Sequence, residues 1–197
     1  VDDIVTKENI ILVALRLSLT RGYKSVSLID VANEIGITKG GIYHYFSSKD
    51  ELLLAALHFS LDYFEKRYAE LLSNKSTLRE ILYALLVDNV FDEDSKQFIG
   101  STGECNVDHV HFYIEMMQRF SEIQERVQKI NVLTCEAFAK RIQVAMDKGE
   151  IKSNLDSYAL AANVMALVNG QKSLGSSFQS QEMRKRMMDS MWTLMNS

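Results

Sequence analysis

Residues 27–46 read SLIDVANEIGITKGGIYHYF, and the spacing of a few small and apolar residues within them decides the N-terminal fold. Ala32 is small enough for a second helix to cross closely. Gly36 can take the left-handed conformation of a tight turn, and Ile35, Ile37 and Ile42 supply apolar anchors behind that turn. Ser27-Leu28-Ile29-Asp30 opens a helix with a capping-box-like pattern. Thr38 is placed to cap the next helix, which runs to about Tyr45. Two short helices on a tight turn make a helix-turn-helix, whose second helix is free to enter a major groove. Within it, Gly40 and Gly41 raise a question, because glycine costs about 0.8–1 kcal/mol relative to alanine inside a helix. Both fall in the first turn, where hydrogen bonding is incomplete. The expectation is that another backbone, of DNA or of a partner helix, comes close at Gly40.

The pattern extends outward as helices. Residues 6–21 place Ile10, Ile11, Ala14, Leu15, Leu17 and Ser18 near a 3.6-residue period, and Gly22 stops that helix. Ser48-Lys49-Asp50-Glu51 reads as a full capping box for a long fourth helix ending near Leu72, and Thr77-Leu78-Arg79-Glu80 caps a fifth. Residues 92–106 are polar with two glycines and read as a loop. A helical pattern resumes from about Val107 to Lys148, with a break near Phe120-Ser121, and Lys148-Gly149 is a strong stop. Two more helices follow over about 156–175 and 180–196. The expected fold is all-α, with about nine helices. A three-helix DNA-binding domain at 1–47 precedes a larger helical domain at 48–197.

Composition agrees. Of 197 residues, 47% are apolar, and none is proline, which favours helices over turn-rich β structure. Net charge is −4, so DNA binding must come from a local patch. Residues 1–50 hold six Lys/Arg (Lys7, Arg16, Arg21, Lys24, Lys39, Lys49) and six Asp/Glu (Asp2, Asp3, Glu8, Asp30, Glu34, Asp50). Binding therefore depends on where these charges point. Cys105 and Cys135 are too few for a disulfide framework, and a reducing, cytosolic compartment is the expectation. No apolar run approaches the ~18 residues of a membrane span, and VDDIVTKEN lacks a signal-peptide layout.

Thr38, Lys39, Tyr43, His44 and Lys49 can donate to phosphates or base edges, and Ser27 sits at the start of the preceding helix. Tyr45 and Phe46 read as core. The segment GYKSVSLIDVANEIGITKGGIYHYFSSKDELLLAAL resembles the N-terminal signature of the TetR family of bacterial transcription regulators. The resemblance rests on Gly22-Tyr23, Val26, Val31-Ala32, Gly36-Ile37-Thr38-Lys39-Gly40, Ile42-Tyr43, Tyr45-Phe46 and Ser48-Lys49-Asp50-Glu51-Leu52. It implies a homodimer on a partly palindromic DNA operator, and a body whose small-molecule ligand alters the separation of the recognition helices. No cofactor or metal is implied. Ser27 stands where the family more often has threonine, and its hydroxyl is expected still to reach a phosphate. Gly41 stands where many members carry a base-directed side chain, so phosphate contacts are expected to carry more of the recognition.

Beyond the signature, expectations are coarser. Phe112, Met116, Met117, Phe120, Cys135 and Phe138 are core residues of which some line a ligand cavity, with His109, His111 or Tyr113 as a polar contact. A metal site at Cys105, His109 and His111, with Glu104 and Asp108 nearby, is disfavoured because residues two apart on a helix diverge. Ala159, Ala162, Ala166 and Gly170 form a small-residue stripe. With Met187, Met191 and Trp192 they are expected at a dimer interface. The four-residue steps of Met183, Met187, Met191 and Met195, beside Met188, read as packing or seam rather than a drug or soft-metal site. Arg184, Lys185 and Arg186 read as a solvated face. Two other readings compete with a ligand-responsive repressor. One is a helical protein-interaction module or an activator of the same fold. The other is an enzyme using Cys135 or Cys105, for which no base and orienting group are assembled nearby.

Overall fold

A computed structural model of the chain describes residues 7–73, 76–91, 109–152 and 154–197, and these are helical, with no strand among them. Nine α-helices are defined in the described residues: α1 (Lys7–Arg21), α2 (Leu28–Ile35), α3 (Lys39–Tyr45), α4 (Lys49–Ser73), α5 (Leu78–Leu86), α6 (His109–Arg119), α7 (Ser121–Asp147), α8 (Ser157–Ser173) and α9 (Gln181–Asn196). The expected loop at 92–106 lies outside the described residues.

Local chemistry sets most boundaries. Gly36 sits at φ 82°, ψ 26°, in the left-handed region where an L side chain is disfavoured. It closes α2 as its N–H donates to Ala32 O at 2.9 Å and the Ile37 N–H donates to the same carbonyl at 3.0 Å. Ser27 and Asp30 form a reciprocal capping box on α2, and Thr77 and Glu80 form one on α5. The box expected at Ser48 is only half made. The Glu51 N–H donates to Ser48 Oγ at 3.1 Å, but the Glu51 carboxylate accepts from the N–H and hydroxyl of Ser47 at 2.8 and 2.6 Å. The Glu51 carboxylate thus reaches one residue further back than a box requires. The break between α6 and α7 falls at Phe120, and α7 ends as the Glu150 N–H donates to Ala145 O at 2.9 Å.

The described residues divide into two compact units, one of residues 7–63 and 109–125, the other of 64–91 and 126–197. In the first, α1, α2 and α3 bury Ile10, Leu15, Val31, Ala32 and Ile42, with Phe46 following, and α4 adds Leu52, Leu53, Ala56 and Leu57. The six positions read as the inner face of α1 are its buried residues. In the second, Leu78, Ile81, Leu82, Leu85 and Leu86 of α5 pack with Phe138, Ile142 and Met146 of α7, Ala161, Val164 and Val168 of α8, and Met188 and Met195 of α9. Burial of such side chains, at ~1.5–3 kcal/mol each, is the main favourable term in either unit.

On α9, Met188 and Met195 are core, whereas Met183, Met187 and Met191 are half-buried. The expected solvated face holds for Lys185 and Arg186, which are exposed. Arg184 departs from it: the residue is half-buried and, among the described residues, its enclosed Nε has no hydrogen-bond partner. The methylene stem of arginine covers apolar surface while its head reaches outward.

Candidate nucleic-acid interface

The surface of α3 follows from one buried residue. Ile42 is fully buried and turns inward, so the residues on either side of it turn out: Tyr43 is 47% exposed, and Thr38, Lys39, Gly40 and His44 are exposed. Thr38 caps α3, its Oγ1 accepting from the Gly41 N–H at 3.1 Å. Lys39 Nζ stands 5.9 Å from the Tyr43 ring centroid, and the His44 ring is edge-on to Tyr45 at 5.4 Å. Among the described residues no carboxylate pairs with Lys39 or Lys49. Phe46 is buried and Tyr45 half-buried.

The glycines behave differently from each other. A Cβ placed on Gly40 would have only Thr38 Oγ1 nearby, at 3.9 Å. One on Gly41 would meet Thr38 Oγ1 at 3.4 Å and Ile37 Cβ at 3.6 Å, in ordinary contact. Among the described residues, no neighbouring helix comes within 4 Å of that Cβ position on Gly40.

Ser27 is exposed, but its hydroxyl is committed. It donates to Asp30 Oδ2 at 2.6 Å while accepting from the Asp30 N–H at 3.2 Å. The Ser27 N–H donates to the same carboxylate at 2.7 Å. These bonds hold the Asp30 carboxyl below its usual range, the Ser27 hydroxyl contributing most. A phosphate at Ser27 would have to compete with this cap.

A cluster that sequence reasoning missed lies beside Lys49. Tyr23, in the 3₁₀ turn Tyr23–Ser25 after α1, is buried, and its hydroxyl donates to Asp50. Arg119, the last residue of α6, donates to both Asp50 oxygens at 3.0 and 3.3 Å, and its guanidinium lies 4.6 Å from the Tyr23 ring centroid. Lys49 Nζ lies 3.9 Å from the same centroid. The Tyr23 hydroxyl bond, with Arg119 adding to it, lowers the Asp50 pKa. Desolvation, with Arg119 adding to it, lowers that of Lys49. Tyr23 and Asp50 had a signal in the sequence, through their places in the family signature; Arg119 had none.

The candidate ligand residues fall in both units. In the first, Phe112 and Met116 are buried, and Tyr113, Met117 and Phe120 half-buried. The Tyr113 hydroxyl bonds Ser60 Oγ at 2.8 Å, and its burial pushes its pKa up to about 12. In the second, Cys135 and Phe138 are buried, and the thiol lies 3.8 Å from Tyr158 O. Cys105, Glu104, Asp108 and the side chain of His109 lie outside the described residues, while His111 is exposed. Of the dimer candidates, Ala159, Ala162, Ala166 and Gly170 are all exposed on α8, and Met187, Met191 and Trp192 are half-buried on α9. Gln171, one turn beyond Val168, was not anticipated. It is 2% exposed, and among the described residues neither end of its amide has a hydrogen-bond partner. No helix of the described residues is long and apolar enough to cross a membrane.

Residues 10–56 match the model of the bacterial regulatory proteins of the tetR family. The chain is similar to YuxN of Bacillus subtilis (strain 168), an HTH-type transcriptional regulator, at 39% identity over 71 residues, which span 36% of this chain but 23% of that relative. Its likeness to the HTH-type transcriptional regulator AcrR of Shigella flexneri is 25% identity over 174 residues, 79% of each chain. Its fold is similar to that of FadR from Bacillus subtilis, solved in complex with stearoyl-CoA, with a TM-score of 0.66, 18% identity and 98% of each chain covered.

Proposed function

Because the chain belongs to the tetR family of bacterial regulatory proteins, a family of transcriptional regulators rather than enzymes, we propose that it is a ligand-responsive repressor. It binds a palindromic DNA operator as a homodimer and is released when a small molecule binds the C-terminal domain. The observation that carries this reading is α3. A capped helix turns one apolar residue inward and presents Thr38, Lys39, Tyr43 and His44 outward, with Gly40 leaving its start open. Residues 1–47 form the DNA-binding domain and residues 48–197 the ligand-binding and dimerisation domain. Ser27, Thr38, Lys39, Gly40, Gly41, Tyr43, His44 and Lys49 form the DNA-facing set.

The exposed stripe of Ala159, Ala162, Ala166 and Gly170 supports a helix-to-helix dimer seam, because small side chains let two helix axes approach. The Gln171 amide supports a polar contact from a ligand or the second protomer, since buried polar groups are nearly always satisfied. A small molecule, which FadR takes in the form of stearoyl-CoA, shifts the population only if it binds one arrangement of helices better than the other. The recognition helices then no longer fit half-sites about 34–36 Å apart.

Selection of bound duplexes from a random pool, followed by titration of salt against the recovered site, tests the reading. A palindromic site whose affinity falls steeply with salt is the expected result. No sequence preference, or a flat salt response, refutes it.

A further inference from the structure

Lys49 is the one DNA-facing cation with a carboxylate beside it in sequence, and the geometry around it raises the question of what keeps the two apart. Asp50 follows Lys49 in the first turn of α4, close enough for the two charges to influence each other. Neighbours in a helix do not ordinarily face each other, but here both side chains converge on Tyr23, the ammonium over its ring and the carboxylate at its hydroxyl, so that Asp50 stands ready to pair with Lys49. Here the carboxylate is occupied twice over, by the Tyr23 hydroxyl and by the Arg119 guanidinium on both oxygens. The ammonium instead rests over the Tyr23 ring, 3.9 Å from its centroid, a cation–π contact that holds the charge without neutralising it. The other nearby carboxylate, Asp30, is committed to capping α2.

We infer that Arg119 is a positioning residue for DNA binding: by occupying Asp50 it withholds that carboxylate from Lys49 and leaves the lysine ammonium available to a phosphate. This rests on the reading of α3 and the start of α4 as a DNA-facing surface. It assigns a role to a residue 69 positions away from Asp50 in sequence, on a helix that carries none of the DNA-facing set. Arginine suits the task because its planar fork satisfies both carboxylate oxygens and stays charged at any physiological pH.

The experiment measures the salt dependence of binding by the full chain, using the duplex recovered by the selection above. Removing one phosphate interaction makes the slope of log K against log salt shallower by about 0.9. Lys49→Ala is expected to do so by about that amount per protomer, and Arg119→Ala by the same, because Asp50 then captures Lys49. Arg119→Ala/Asp50→Asn is expected to restore the slope, since asparagine keeps an acceptor for Tyr23 but no charge for Lys49. A merely structural Arg119 would not yield this rescue. A second measurement needs no DNA: NMR titration of the Lys49 ammonium is expected to move upward in Arg119→Ala and to return in the double variant.

An unchanged slope in Arg119→Ala, a shallower slope that Asp50→Asn fails to restore, or no change in Lys49→Ala overturns the inference while the repressor reading stands. A wild-type chain that recovers no duplex refutes that reading, and the role of Arg119 with it.

Discussion

Gly40→Ala separates what the protein needs at the start of α3 from what its partner needs. Gly40 is the second residue of the helix after the Thr38 cap, and a Cβ there would have a single neighbour, Thr38 Oγ1 at 3.9 Å. Its backbone is not in the left-handed region, so alanine fits without strain. Replacing glycine by alanine at such a site stabilises by about 0.4–1 kcal/mol, chiefly because the unfolded chain has fewer conformations to lose. In a protein of this size about 1 kcal/mol moves the thermal midpoint by ~2–4 °C. Gly40→Ala is therefore expected to raise the denaturation midpoint. Its affinity for the selected duplex is expected to fall, because an extra methyl against a close-packed surface typically costs about 1–3 kcal/mol, or roughly 5- to 150-fold.

Gly41→Ala is the internal control. Its Cβ meets Thr38 and Ile37 at 3.4–3.6 Å, so part of its space is already taken by the protein, and a smaller stability gain is expected. Urea unfolding followed by circular dichroism and duplex binding by fluorescence anisotropy measure the two sides separately. A destabilised Gly40→Ala would refute the claim that the backbone tolerates a side chain there. A stabilised variant with undiminished affinity would refute the claim that DNA comes close at Gly40.

Three further outcomes follow from particular side chains. Ile42→Ala, which empties a fully buried site behind the turn, is expected to cost about 2–5 kcal/mol in denaturant unfolding. Tyr68 stacks on Phe91 at 4.1 Å, and burial raises its pKa from 10.0 to about 12. The folded state holds this proton more tightly than the unfolded one, so its contribution is complete below pH 10 and disappears as pH rises to about 12, on the order of 2–3 kcal/mol. Stability of Tyr68→Phe measured over that window is expected to fall less steeply than that of the wild type. Ala166→Arg, at an exposed position on α8, is expected to shift dimer to monomer in sedimentation with the helical content kept. An unchanged mass would place the seam elsewhere.

What the sequence made legible is the part of the fold that local chemistry decides. Gly36 had to be left-handed, Ser27 with Asp30 and Thr77 with Glu80 had to cap, and the inner face of α1 followed from its period, because each signal acts within four residues or one helical face. The break at Phe120 was legible for the same reason. The failures are of a different kind. Glu51 reaches Ser47 instead of closing a box on Ser48, and Arg184 is half-enclosed rather than solvated, because a sequence pattern names the groups that can bond and not the path each side chain takes. The Arg119–Asp50 pair joins residues 69 apart and the bond from the Leu78 N–H to Glu150 residues 72 apart. No periodicity or capping pattern encodes a partner at that distance. The ligand residues were the least legible, since Phe112, Met116, Cys135 and Phe138 would be buried whether or not they line a site.

The neutral charge count of residues 1–50 is where tertiary geometry changes the argument most. Six cations against six carboxylates would predict weak attraction to DNA if all were equally available. They are not. Arg16 pairs with Glu34 at 2.6 Å, and Arg21 lies 3.9 Å from the same side chain. Lys24 lies 3.9 Å from Glu115. Asp30 is spent on the α2 cap and Asp50 on Tyr23 and Arg119. Among the described residues of the proposed DNA-facing set, Lys39 and Lys49 have no carboxylate within ion-pair distance, Lys39 lying by the Tyr43 ring and Lys49 by the Tyr23 ring. On the proposed reading, pairing carboxylates with cations and caps, rather than adding lysines, gives a neutral segment a positive face toward DNA. Such a face gains its affinity where it is aimed and gives a chain of net charge −4 little attraction for DNA elsewhere, which favours specific over indiscriminate binding.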